Sequence, residues 1–310
     1  MDTHRRLEQM IAYRSRYGEF NDEKLRKTIE ELREIVRSDA GTSVRDFVPI
    51  RLVTIVEVQV KDWIIILIDS INSDIRRRAG EIKKHIKFDY TLSSALVSQD
   101  LTLGGIIAHE VSLHSIEPII SIFSTLLGLD FKVKLKESKR RVDNGQDFYL
   151  ETIVGNVDEL VASLKDLFQV RHVLTHEMPS ISPYKVQDLE LFIDSVELFV
   201  EALDSALQSV VWYGDANNVA ELNKLLDDQI DEWNKQIGAV LNGLQRHPNT
   251  DMHLLEAAQT AWLVFSRAEA EFVRKYHDGW WADIAYKLTI TDLQETRWAN
   301  LKIQPQYLMG

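Results

Sequence analysis

The sequence predicts an all-α chain: a helical bundle preceded by extra N-terminal helices and followed by a three-helix module. Apolar residues recur at three- and four-residue spacing through most of the 310 residues. Good helix-capping residues stand ahead of many of these stretches. The chain holds only 13 Gly and 6 Pro, which disfavours an all-β or low-complexity chain. With 45% apolar and 27% charged residues it can bury a proper core.

Taken in order, Asn21 is a good N-cap for a charged helix running toward Val36, and Gly41-Thr42-Ser43 breaks the chain after it. Pro49 stands near the start of a long apolar helix through Leu52, Ile55, Val56, Trp63 and Leu67. Charged and polar residues interrupt its most apolar window, so it reads as a buried helix and not a membrane span. Gly104-Gly105 interrupts the middle of the bundle. Ser115 to Leu127 reads as a helix, with Pro118 in its first turn and Gly128 beyond its end. Phe131, Val133 and Leu135 alternate with lysines, the pattern of a short strand or extended arm. Asp143-Asn144-Gly145 marks a turn. Asn156 with Glu159 is a capping-box-like start for a helix from Val157 to His176. Ser182-Pro183 reads as the N-cap and first position of the next helix, through Leu189, Phe192, Val196 and Phe199. Breaks at Tyr213–Asn218, Pro248-Asn249-Thr250 and Asp278-Gly279 delimit three last helices. The division expected is N-terminal helices over 1–42, a bundle over 43–212 and a helical module over 215–305.

The formal net charge is −12, which argues against broad, non-specific nucleic-acid binding. Two basic clusters stand against that background. One is Arg76, Arg77, Arg78, Lys83, Lys84 and Lys87; the other is Lys132, Lys134, Lys136, Lys139, Arg140 and Arg141. Each is either a solvated face or an RNA-facing surface. Cysteine is absent, so disulfides and thiolate metal sites are excluded, in keeping with a reducing, cytoplasmic setting. No apolar core follows the basic N-terminal residues, so no signal peptide is read. His109-Glu110-Val111-Ser112-Leu113-His114 is one residue too long for the zinc pattern H-E-x-x-H. No cofactor or metal is expected.

The segment carrying the most chemistry is Val170-Arg171-His172-Val173-Leu174-Thr175-His176-Glu177-Met178-Pro179. RNA is cut without a metal when its 2′-hydroxyl attacks the neighbouring phosphate. Histidine titrates near neutral pH and suits the proton transfer. Arginine stays charged, and its planar fork fits phosphate oxygens. On a straight helix Arg171 and His176 stand roughly 140° apart. Sharing a site within one chain therefore requires the helix to unwind before Pro179, with Met178 its last residue and His176 splayed from the regular path. His172 and His176 share a face. The plainer reading pairs Arg171 with a carboxylate such as Asp166 or Glu177 and lets both histidines finish a helix, where the macrodipole favours basic groups.

Arg171 and His176, with four residues between them and a polar residue after the arginine, resemble the signature of the HEPN superfamily. The resemblance runs loosely from Phe47 to Leu207, and the segment from Phe47 to Glu57 looks like an early helix of some members. It implies a helical bundle that dimerises, with two motifs meeting at the interface as a metal-independent endoribonuclease. Arg171 would then orient the scissile phosphate, His176 would act in proton transfer or positioning, His172 would fill the polar position, and Glu57 would supply an acidic partner. The expected substrate is RNA, and a toxin–antitoxin or phage-defence role, with an antitoxin as a further partner, follows from the resemblance alone.

Residues from Ala220 through Glu269, with Gln259, Trp262, Phe265 and Glu269 the most specific, look like the N-terminal domain of LprI-type lysozyme inhibitors. Leu288-Thr289 and Arg297 resemble that family's closing helix. The chain departs from the family where cysteines are usual, at Ala270 and near Ala285. The resemblance implies a helical module that binds a protein partner. Trp262, Phe265 and Phe272 read as its core stripe, and Trp280-Trp281 as a core plug in preference to an exposed patch.

Overall fold

A computed structural model describes residues 22–70, 73–82, 102–177, 179–213, 216–248 and 250–307. The fold is all-α among these residues, apart from one two-stranded hairpin. Asn21, Lys83, Lys84, Lys87, Met178 and the residues before 22 lie outside the described residues. The chain divides into two compact units. One holds the described residues through Arg140 together with Thr152–Val211; the other holds Arg141–Glu151 and the residues from Trp212 onward.

In the first unit the elements are α1 (Asp22–Arg37), α2 (Thr42–Arg45), α3 (Phe47–Asp69), α4 (Ser73–Ile82), α5 (Leu103–Glu110), α6 (Ile116–Leu127), α7 (Phe131–Lys136), α8 (Val157–His176) and α9 (Val186–Gln208). A π-helical turn over Ser209–Tyr213 ends α9. The hub is α3, which packs against α1, α2, α4, α5, α6, α8 and α9. Its composition explains this position: Leu52, Val53, Ile55, Val56, Val60, Trp63, Ile64, Leu67 and Ile68 are apolar on nearly every side, and all are buried. A helix without a polar face is stable only when surrounded. The core continues through Phe123, Phe131, Leu164, Leu167, Phe199 and Leu203.

The pair α8–α9 supports one flank of the hub. Asn156 accepts from the backbone N–H groups of Asp158 and Glu159, which caps α8 and fixes its start at Val157. Gly128 closes α6 in the left-handed region, at φ 70°.

The connection into α9 departs from the sequence expectation. Ser182-Pro183 does not begin the helix; α9 starts at Val186, and the Lys185 backbone N–H donates to the Asp188 carboxylate at 2.7 Å. The Tyr184 hydroxyl instead donates to Asp46 at 2.7 Å, holding residues 182–184 against the start of α3. The arm expected at Phe131–Leu135 is helical, and Gly104-Gly105 lies inside α5 instead of breaking the chain.

The second unit consists of a hairpin, β1 (Lys139–Asp143) and β2 (Phe148–Thr152), whose inner part belongs here, and three long helices: α10 (Val219–Gln245), α11 (Met252–Arg274) and α12 (Gly279–Tyr307). The Asp143-Asn144-Gly145 turn and all three C-terminal breaks fall where the sequence places them. α12 packs along both α10 and α11. Phe148, Leu222, Leu226 and Ile284 form one small core, and Ile237, Leu244 and Leu301 another. The half-buried Trp280 and Trp281 pack on the first of these, with the Trp280 ring 5.3 Å from Phe148, consistent with a core plug.

Candidate functional site

The Arg171 segment forms the last two turns of α8. The helix stays regular through His176, and Glu177 caps it in the right-handed region. His176 therefore does not splay from the regular path, as sharing a site with Arg171 in one chain would require. Thr175 Oγ1 donates to the Arg171 carbonyl at 2.8 Å and to the His172 carbonyl at 3.2 Å, which ties this end into helical form. Arg171 and His176 consequently point about 140° apart, as expected of an undistorted helix. His172 and His176 do share a face: their rings stand 4.9 Å apart on the exposed side of α8.

Glu57 on α3 and Arg171 on α8, two helices that pack together, are both half-buried, and the arginine's charge reaches the carboxylate. Burial raises the Glu57 carboxyl above its ordinary value, while the positive charges of Arg171 and Lys61 pull it back. The carboxylate that feels the arginine's charge thus stands on α3, more than a hundred residues away in sequence, and no hydrogen bond or ion pair joins Arg171 to Glu57, Asp166 or Glu177. The arrangement is a half-buried carboxylate within the electrostatic reach of a half-buried guanidinium, with two imidazoles on the exposed face of α8. Tyr184 secures the connection behind it, and its phenol is pushed up to about 12 by burial and by the Asp46 carboxylate it binds.

The basic residues expected to face RNA take varied places. Arg76 donates to the carbonyls of Ile68 and Asp69 at 3.3 and 3.1 Å, satisfying the end of α3. Arg78 does the same for α6 through Leu126 and Leu127, at 3.1 and 2.9 Å. Arg77 is exposed and bridges to Asp74. Arg140 stands 3.4 Å from Glu201, and the Lys139 backbone exchanges hydrogen bonds with the Ser205 hydroxyl. Arg141 lies over the Phe148 ring in the second unit, 5.2 Å from its centroid. Among the described residues no group of three or more His, Asp or Glu is placed to hold a metal ion, and no helix is long and apolar enough to cross a membrane.

The second unit has its own arrangement. Arg297, on α12, donates to Gln259 Oε1 through Nε and Nη2 at 3.3 and 3.2 Å, and its guanidinium lies 5.9 Å from the Trp262 ring centroid. Burial lowers the pKa of Arg297. Gln259, Trp262 and Arg297, far apart in sequence, thus lock α11 to α12. Phe265 and Phe272 do not join Trp262 in a core stripe: both are exposed, on a different arc of α11 from Trp262.

Two features escaped the sequence reading. The Asp62 carboxyl on α3 is pushed up to about 6 by burial. On α10, Asp227, Asp228, Asp231 and Glu232 are all exposed on consecutive turns.

Residues 213–301 match a family model described as lysozyme inhibitor LprI, a span that takes in α10, α11 and most of α12. The chain matches no curated protein and no solved structure. What the comparisons establish is an LprI-like helical domain at the C-terminal end of an all-α chain, with Arg171, His172 and His176 outside the matched span.

Proposed function

We propose that the protein is a helical interaction protein whose C-terminal unit recognises a protein partner, a lysozyme-like enzyme being the first candidate. The match of residues 213–301 to the lysozyme-inhibitor family carries this reading. The Gln259–Trp262–Arg297 lock supports it, since it joins residues from both parts of that resemblance in one contact. The surface suited to the task is the acidic outer face of α10. Lys287 already pairs with Asp227 at 2.7 Å, while Asp228 and Asp231 present their charge to solvent. Such a face steers a basic partner and fixes its register. The test is inhibition of a muramidase by the full chain. Wild type is expected to inhibit, and Asp228→Lys/Asp231→Lys to weaken inhibition by tenfold or more. Absence of inhibition by wild type removes lysozyme-like enzymes as the partner.

A second reading, a metal-independent endoribonuclease, is favoured by one observation: the charge of Arg171 reaches the half-buried Glu57 carboxylate, and two histidines are exposed on the last turns of the same helix. Because Arg171 and His176 diverge around the helix, this reading needs a second copy of the chain to bring a histidine to the opposing arginine. Cleavage of a mixed RNA pool in EDTA is then expected of wild type, and Arg171→Ala/His176→Ala is expected to lower it by about a hundredfold or more. Equal cleavage by the double variant would place the activity elsewhere.

A further inference from the structure

The outer arc of α11 is an exposed apolar stripe. Leu254, Ala258, Ala261, Phe265, Ala268, Phe272 and Tyr276 follow one another at three- and four-residue spacing, and all are exposed. Leu254 is 64% exposed, Phe265 53%, Phe272 55% and Tyr276 72%. The inner arc, with Ser266 and Ala270 buried and Gln259 and Trp262 half-buried, is the one that meets α12. A second contact face on a helix already anchored by its first is a docking surface, and its pattern indicates what docks.

From Ala258 to Lys275 the spacing is that of a coiled-coil seam. Ala258, Phe265 and Phe272 occupy one of the two core positions and Ala261, Ala268 and Lys275 the other. In a parallel pair each position meets itself, stacking phenylalanine on phenylalanine and leaving alanine opposite alanine. In an antiparallel pair each position meets the other. Phe265 then faces Ala268 of the second copy, Phe272 faces Ala261, and Lys275 faces Ala258. Every large side chain meets a small one, which is what close packing without voids requires. No like charges are opposed: Glu269 flanks the seam beside Trp262 of the other copy, and Glu271 beside Val264.

The area is also sufficient. The three aromatic residues with Leu254, Val264 and the alanines leave on the order of 600 Å² of side chain exposed per copy. Two copies would bury at most roughly 1,200 Å², a ceiling that reaches the lower end of specific protein interfaces. We propose that this stripe is the interface of a two-fold symmetric homodimer, built from α11 of two copies packed antiparallel with the axis between Ser266 and Arg267. It shares no residue with the acidic face of α10 or with the end of α8, so neither functional reading depends on it.

The full chain has no cysteine, which permits an unambiguous test. Ala258→Cys and Lys275→Cys chains, each carrying one thiol, are oxidised separately and after mixing. The antiparallel register expects a disulfide-linked dimer in the mixture and none from either alone. A cross-link from Ala258→Cys alone indicates another packing and overturns the register. Light scattering on the wild type, at tens of micromolar, is expected to give twice the chain mass of 35.8 kDa. Phe265→Glu/Phe272→Glu, whose altered side chains are solvent-facing and leave the α12 contact intact, is expected to give a single chain with unchanged far-UV circular dichroism. A wild type of single-chain mass, or a Glu variant still at twice that mass, overturns the proposal and leaves the stripe to a different protein.

Discussion

Arg171 shows how a residue's neighbours in space redefine it. By sequence its candidate acidic partners were Asp166 and Glu177 nearby and, through the family resemblance, Glu57; in the fold its charge lowers the Glu57 carboxyl on α3 while burial raises it, and no ion pair forms with any of the three. The same helix carries Asp62, half-buried and raised from an ordinary 3.8 to about 6 by desolvation. Folded Asp62 keeps its proton to higher pH than the unfolded chain does. Its effect therefore turns against folding as pH rises from 3.8 to about 6, and the cost stays constant above that. A shift of that size corresponds to about 3 kcal/mol, and the partial exposure of Asp62 discounts the cost to about 1–2 kcal/mol. Asp62→Asn is expected to raise stability at pH 7 by that amount and to match wild type near pH 4, as urea melts at the two pH values would report. Equal stability at pH 7 would mean that Asp62 is well solvated.

Among the elements, α7 and α5 show where local pattern and packing part company. Phe131, Val133 and Leu135 alternate like a strand, yet Asp130 caps a helix by accepting from the Lys132 N–H, directly after the left-handed turn at Gly128. Phe131 and Leu135, four apart, are both buried, and Val133 is left outside. The helical period won because two large side chains, not three, had a core to enter. In α5, Gly104 does not break the helix; it lets α5 lie directly on α3. A Cβ there would come within 2.8 Å of the Ile65 Cα and carbonyl oxygen. Gly104→Ala is expected to destabilise by about 1–3 kcal/mol through overpacking. Gly238→Ala, inside α10 with open space around it, is expected to stabilise by up to about 1 kcal/mol. Thermal melts of the two variants should move in opposite directions.

In the whole molecule, each of the two compact units has its own buried core, which predicts two cooperative blocks. Leu203 is fully buried in the first unit and Leu222 in the second. Truncating either to alanine should cost about 2–5 kcal/mol in its own block. Urea unfolding is expected to show two transitions, with Leu203→Ala lowering one and Leu222→Ala the other; a single transition shifted by both would mean that the chain unfolds as one block. The division also crosses the sequence. The hairpin segment Arg141–Glu151 interrupts the first unit and places Phe148 in the core of the second. Its local turn was legible at Asp143-Asn144-Gly145, but its membership was not, because nothing within ten residues of Phe148 records that Leu222 and Ile284 will surround it.

The sequence by itself determined the all-α class, the start and end of α8, the termination of α6 and the three C-terminal helices. Each depends on spacing, a capping side chain or a left-handed glycine, and these act within a few residues. Tertiary structure alone decided that Arg76 and Arg78 finish other helices, that α9 begins at Val186 because Tyr184 is held by Asp46, and that Phe265 and Phe272 face outward while Trp262 faces in. Those outcomes depend on which apolar surfaces meet first and which polar groups must then be satisfied. A local pattern offers several such pairings, and only the packed chain selects among them.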